Sequence, residues 1–600
     1  VRNVLGSSAN TYTTNGNFVF NSADANTVND TVTATGNATI TAGIASELSV
    51  DAGGYAFVTA RRLELSDIKA NDNVRITADE VAGNDILSET GLVSITAAAN
   101  VATNAITAAG NVTVNAGEQI VGNTITTAGA ATLAADNITN NNVSATGNLS
   151  ATATTSVVGG TYTTAAAARV TGAYVGSVTV AATGNATITS GTTVENTVVR
   201  GAIVNVTAED NIENLDAKAT RYAWIQSNTG SVIGADVVAN GIGSTNGVVV
   251  KAMLDVIDLS ATATTAGVNV LAETGNITGS DVNAKTTAVL TAGNEIDGTD
   301  VTAGTDITVA AKKLAADSFV SEAGMITITG VEDIVNSTIW AKDKKAGIVE
   351  VTATNEIDGT TIVAGADLTV NAGYLVASAL ISEAGTITAT AGLIDATSLL
   401  AKDGEILATA TGITGNSSFT ANVIDAGTGN VTLVGTPETV AAIDTVVANA
   451  AITARGDATI SGFDNVDTLD VVANGAIVAT EGIGNVVGGT WTSTGTTAIT
   501  ADIVDGINLN ADGATIVARQ AINNAITSGA DTTITAAQLL DNNTIMVNGV
   551  LTLDGAAALT DNTITTTGNL DITAAAFTAG NTFTTAGAFS ADIAGNMTND

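Results

Sequence analysis

Residues 549–567 read GVLTLDGAAALTDNTITTT, and residues 568–586 read GNLDITAAAFTAGNTFTTA. The two stretches have the same length and the same plan. Apolar residues stand third and fifth (Leu551 and Leu553; Leu570 and Ile572), an Asn stands fourteenth (Asn562, Asn581) and a large apolar residue sixteenth (Ile564, Phe583). A third copy, GNVTVNAGEQIVGNTITTA, starts at Gly110 and places Val112, Val114, Asn123 and Ile125 in the same four positions. A repeat of about 19 residues is too short to be a domain, so repetition is the organising fact of the chain.

Within each copy apolar residues alternate with Thr, Asp or Asn, the period of a strand with one face inward: Val112 and Val114 point in, Thr113 out. Many copies open on Gly-Asn (Gly36-Asn37, Gly110-Asn111, Gly147-Asn148, Gly184-Asn185, Gly275-Asn276, Gly568-Asn569). Both residues tolerate left-handed backbone angles and suit a corner. Each copy therefore reads as strand, corner, strand, corner, with Gly110, Asn111, Asn123, Gly549, Asn562, Gly568, Asn569, Asn581 and Gly587 as repeat corners. One rung buries too little to offset the entropy of ordering it, and stacking on its neighbours makes up the difference. The expected fold is all-β: a parallel β-helix, or β-solenoid, with about 19 residues per rung. Right-handed crossovers are the rule for parallel strands.

Composition agrees. The 600 residues are 45% hydrophobic but only 3% aromatic, with 62 Gly, one Pro and neither Cys nor His. Small and β-branched side chains suit a narrow core. Residues 1–600 are expected to form one continuous solenoid of about 30 rungs, roughly 150 Å long at the usual strand spacing. Residues 1–35 make an irregular start, although Phe18 and Phe20 alternate as in a strand. Between about 160 and 290 the period blurs, as longer corner loops on the same scaffold would make it do. Residues 291–412 form a duplicated block in which NEIDGT (294–299, 355–360) and SEAG (321–324, 382–385) each recur after 61 residues. The rung at 324–346 is longer and carries Lys342, Lys344 and Lys345, a basic corner loop. The pattern loosens around Pro437, and the last rung is incomplete with no cap, so open strand edges are expected to favour end-to-end or lateral self-association.

The formal net charge of −39 disfavours nucleic acid and anionic membrane as partners. No apolar run is long enough to span a bilayer as a helix. Without His or Cys, the usual metal sites and nucleophile systems are missing, which points away from an enzyme. Paired acids (Asp464, Asp467 and Asp470; Asp297 and Asp300) are the candidates for carbohydrate cleavage, read alongside their simpler role as solvated corner residues. No catalytic or cofactor-binding residue is assigned. Calcium on corner Asp, Asn and carbonyl oxygens is the one cofactor the composition admits, with no defined metal ligand set. Sequons at Asn37, Asn111, Asn137, Asn148, Asn185, Asn205, Asn276 and Asn430 follow from Gly-Asn corners as readily as from glycosylation. Tyr222 and Trp224 form the only candidate ligand patch.

The rungs GNVTVNAGEQIVGNTITTA and GNLDITAAAFTAGNTFTTA resemble the 19-residue repeats of the filamentous haemagglutinin family, large secreted bacterial surface adhesins. The resemblance covers much of 36–160, 291–412 and 513–587, and implies a right-handed β-helix at the cell surface. The Asn-Pro motif of that family's secretion domain does not occur in these 600 residues. The expected role is non-catalytic: an extracellular rod, fibre, filament or surface-layer element with surface glycans or cell receptors as possible partners. The alternative is a carbohydrate-binding or carbohydrate-cleaving β-helix.

Overall fold

The structure is a computed structural model that describes residues 9–241, 245–421, 429–436, 445–556, 558–578 and 580–595. Pro437, where the sequence pattern loosens, lies outside them. The described residues are all-β, without a helix, and the strands pair in parallel with partners about 19 residues away. The chain divides into two compact units, Val1–Asn294 and Glu295–Asp600, each a solenoid of such turns.

The turn that begins at Gly110 shows the plan. Strand Val112–Ala116 is followed by the short strand Gln119–Val121 and then by Thr124–Thr127. The next turn repeats it: Val112 lies beside Ala131, Val114 beside Leu133, Ile120 beside Ile138 and Ile125 beside Val143. All eight side chains are fully buried. Each large one contributes about 1.5–3 kcal/mol by leaving water. The turn therefore has three strands, and the two-strand reading of the repeat is corrected. The middle strand escaped because it is three residues long with a single inward side chain, too short to show alternation. In many turns it merges with the first, as in Val93–Ala102.

The register holds through the stretches that looked irregular. Thr11–Thr14 pairs with Thr31–Ala34, and Phe18–Ser22 with the strand from Ala38, which buries Phe20. The blurred region keeps parallel pairing from Val198–Ala208 to Asp216–Ser227 and on to Asn246–Ala252. In the duplicated block, Ser321 and Ser382 do the same job. Each hydroxyl accepts the N–H of the Gly three residues on (Gly324, Gly385) and donates to a carbonyl of the preceding turn, Thr305 or Ala366. The long rung places its extra residues between Thr338–Ala341 and Val349–Asp358. There Asp343 accepts the N–H groups of Lys345 and Ala346 and turns the chain, and these two bonds hold its carboxyl below the usual range.

Candidate functional site

The two kinds of corner do different work. Between the second and third strands the chain needs one left-handed residue, which is Gly83 (φ 66°), Thr103 (53°), Gly122 (64°) and Asn140 (53°) in four successive turns. The residue after it turns inward. Asn84, Asn104, Asn123 and Asn141 are at most 2% exposed and stack into a ladder. The Oδ1 of Asn123 accepts both the backbone N–H (2.9 Å) and the side-chain N–H (2.8 Å) of Asn104. Asn123 donates in the same way to Asn141, and its amide also reaches the carbonyl of Val101. Asn524, Asn543, Asn562 and Asn581 repeat the ladder in the second unit. A ladder of this kind satisfies buried backbone groups that the corner would otherwise leave unpaired.

The same column is filled by Asp317, Ser337, Thr360, Ser378, Thr397 and Ser417 in the middle of the second unit. Asp317 accepts the N–H of Thr299 (2.9 Å) through one oxygen and that of Ala315 (3.1 Å) through the other. Burial pushes its carboxyl up to about 8, although those two N–H groups pull the other way.

The Gly-Asn corner, between the third strand and the next turn, is not left-handed: Gly110, Gly147 and Gly568 are absent from the positive-φ glycines. Glycine is favoured there because the backbones touch. A Cβ on Gly129 would lie 2.5 Å from Oδ1 of Asn111 and 2.6 Å from the carbonyl carbon of Gly110, and one on Gly587 would lie 2.5 Å from that of Gly568. Gly549 would meet Oδ1 of Asp531 at 2.7 Å. The Asn of the pair reaches to the next turn: Asn111 Oδ1 accepts the N–H of Ala130 and Asn569 Oδ1 that of Ala588. Asp306, Asp367 and Asp457 do the same with Met325, Thr386 and Ala476.

The corner residues are thus spent on the stack. Three of the paired acids are also engaged locally. Asp464 accepts the N–H and hydroxyl of Thr445, Asp467 the hydroxyl of Thr468, and Asp470 the N–H of Thr490. Asp297 closes one short strand and Asp300 opens the next, on either side of the corner at Gly298 and Thr299. Among the described residues no group of three or more carboxylates is placed to hold a metal ion.

Tyr222 and Trp224 lie two apart on Asp216–Ser227, both half-buried and on the outward face. Trp224 donates its indole N–H to Gln226 (3.0 Å), and Lys251 Nζ sits 4.8 Å from the ring centroid. The structure also brings together a row that the sequence reading missed. Val320, Trp340, Val363, Ile381 and Leu400 lie side by side on the outer face of five successive third strands. Its signal was legible: SFVS, TIWA, TIVA, ALIS and SLLA each carry two central apolar residues, where AITA (105–108) or TITT (124–127) carries one. No protein-family model, curated protein or solved structure matches this chain.

Proposed function

We propose that this protein is a non-catalytic structural or adhesive element of the cell surface, in which the stacked turns are themselves the working part. One observation supports this reading above others: the polar side chains that recur in the repeat are consumed in turn-to-turn hydrogen bonds, as in the ladder Asn84, Asn104, Asn123, Asn141. An element of this kind needs lengthwise strength and a repeating outer surface, and the parallel ladders supply both. The resemblance of the rungs to haemagglutinin-type repeats points the same way.

Single-molecule pulling tests the structural part. One turn of about 19 residues releases on the order of 60 Å of chain, so extension is expected in multiples of that length. Collapse of the stack in one low-force event would overturn the structural role. Incubation with a panel of polysaccharides tests the rest. Capture without shortening is expected, and new reducing ends would overturn the non-catalytic reading. Carbohydrate binding has one specific observation in its favour, the outward pair Tyr222 and Trp224. Loss of glycan capture in Trp224→Ala would place binding there.

A further inference from the structure

We infer that the row Val320, Trp340, Val363, Ile381 and Leu400 is the docking face for a second copy of this chain, packed face to face with its stack direction reversed. In the flanking turns the same outward column is polar: Thr302 stands before Val320, and Thr420 and Thr453 follow Leu400. The five apolar residues therefore make a bounded stripe about 19 Å long at the usual strand spacing. Trp340 is 42% exposed. On one flank stand Ser318, Thr338, Thr361, Ala379 and Ser398, all small enough to let another flat face approach.

The other flank identifies the occupant. Two residues beyond each stripe residue the chain carries Glu322, Lys342, Gly365, Glu383 and Lys402. Lys342 bonds Glu322 and Lys402 bonds Glu383, each at 2.6 Å, and Lys342 Nζ also lies 4.9 Å from the centroid of the Trp340 ring. Read along the stack, the rim is acid, base, gap, acid, base. Reversed, it is base, acid, gap, base, acid. A two-fold axis along the strands through Val363 therefore sets Glu322 against Lys402 of the other copy and Lys342 against Glu383. The side-chain-free Gly365 falls at the axis. The apolar row is matched too, with Trp340 against Ile381 and Val363 against itself. An isologous contact requires this self-complementarity. In a chain of net charge −39, the rim is also locally neutral, so self-repulsion is reduced where the stripe lies. This goes beyond the structural reading, which stands whether or not the chain pairs. A patch this narrow is smaller than a permanent dimer interface, so the dimer is expected to depend on concentration in the micromolar range.

The absence of cysteine makes the geometry testable in the 600-residue chain. Facing sheets are about 10 Å apart, beyond the reach of a disulfide, so a bismaleimide of about that span is the probe. Val363→Cys is expected to cross-link to itself. Val320→Cys alone is not, but mixed with Leu400→Cys it is. By sedimentation, Trp340→Thr with Ile381→Thr should weaken dimerisation about tenfold or more. These side chains point away from the core, and an unchanged circular dichroism spectrum checks the fold. Lys342→Glu with Lys402→Glu, and Glu322→Lys with Glu383→Lys, should each abolish pairing, and mixing the two should restore it. A wild-type chain that stays monomeric throughout, a Val320→Cys chain that cross-links to itself as well as Val363→Cys does, or charge variants that mixing does not rescue would each overturn the proposal.

Discussion

Asn123 shows what one side chain does in this stack. Its oxygen serves two donors of Asn104, and its amide serves Asn141 and a carbonyl of an earlier turn. Asn123→Ala leaves the buried N–H groups of Asn104 without their acceptor, and a loss of about 1–3 kcal/mol is expected in chemical denaturation. Asp317 occupies the same column with a carboxyl raised to about 8. Below its unfolded value near 4 the group is protonated in both states. Above that value the unfolded chain loses the proton while the folded chain keeps it, so stability falls as pH rises from about 4 to about 8 and then levels off. Asp317→Asn removes this slope, and its amide can turn to the carbonyl of Ala315, as that of Asn141 does to Thr139. The variant is expected to be more stable than wild type at pH 8, with the advantage vanishing near pH 4. Equal denaturation midpoints at pH 8 would refute this account of Asp317.

At the scale of the element, the two corners call for opposite substitutions. Gly129 has an ordinary backbone angle but no room, so Gly129→Ala should cost about 1–3 kcal/mol through overpacking. Ala396 has a left-handed angle (φ 48°) that a Cβ makes costly, so Ala396→Gly should raise stability by about 1 kcal/mol. A pair of thermal melts reads both signs. A third element-level rule concerns the large rings in the core. VVGGTYT (157–163) and VVGGTWT (486–492) bring Tyr162 and Trp491 inside, both fully buried. In each, the second Gly (Gly160, Gly489) takes the place in the ladder column that Asn or Ser fills elsewhere, with φ of 92° and 87°. The Trp491 indole N–H then bonds the carbonyl of Leu469, the column residue of the preceding turn, at 2.9 Å. Trp491→Ala empties a large volume and orphans that carbonyl, and a cost of about 3–5 kcal/mol is expected.

For the molecule as a whole, charge is an unfavourable term that salt can tune. Fifty-eight acids face 19 bases, and the ion pairs among described residues are at least partly exposed, so each contributes little. Self-repulsion should therefore outweigh them in the response to salt. The melting temperature is expected to rise between low and physiological ionic strength as the repulsion is screened. A fall would mean that specific ion pairs hold the stack.

The solenoid was legible in the sequence because it needs only local facts repeated many times. Val112 and Val114 alternate with Thr113, the unit returns every 19 residues or so, and neither observation depends on knowing which turns touch. Gly and Asn were read as corner residues for the same reason. Their roles were decided by tertiary structure. Gly110 and Gly129 are glycine because one turn's backbone rests on the next, and Asn123 is a buried rung because its partners are Asn104 and Asn141, 19 and 18 residues away. A residue's spacing reveals its place within a turn. The neighbour above and below, which determines whether a side chain is solvated, laddered or part of an apolar stripe such as Val320 to Leu400, exists only once the turns are stacked in register.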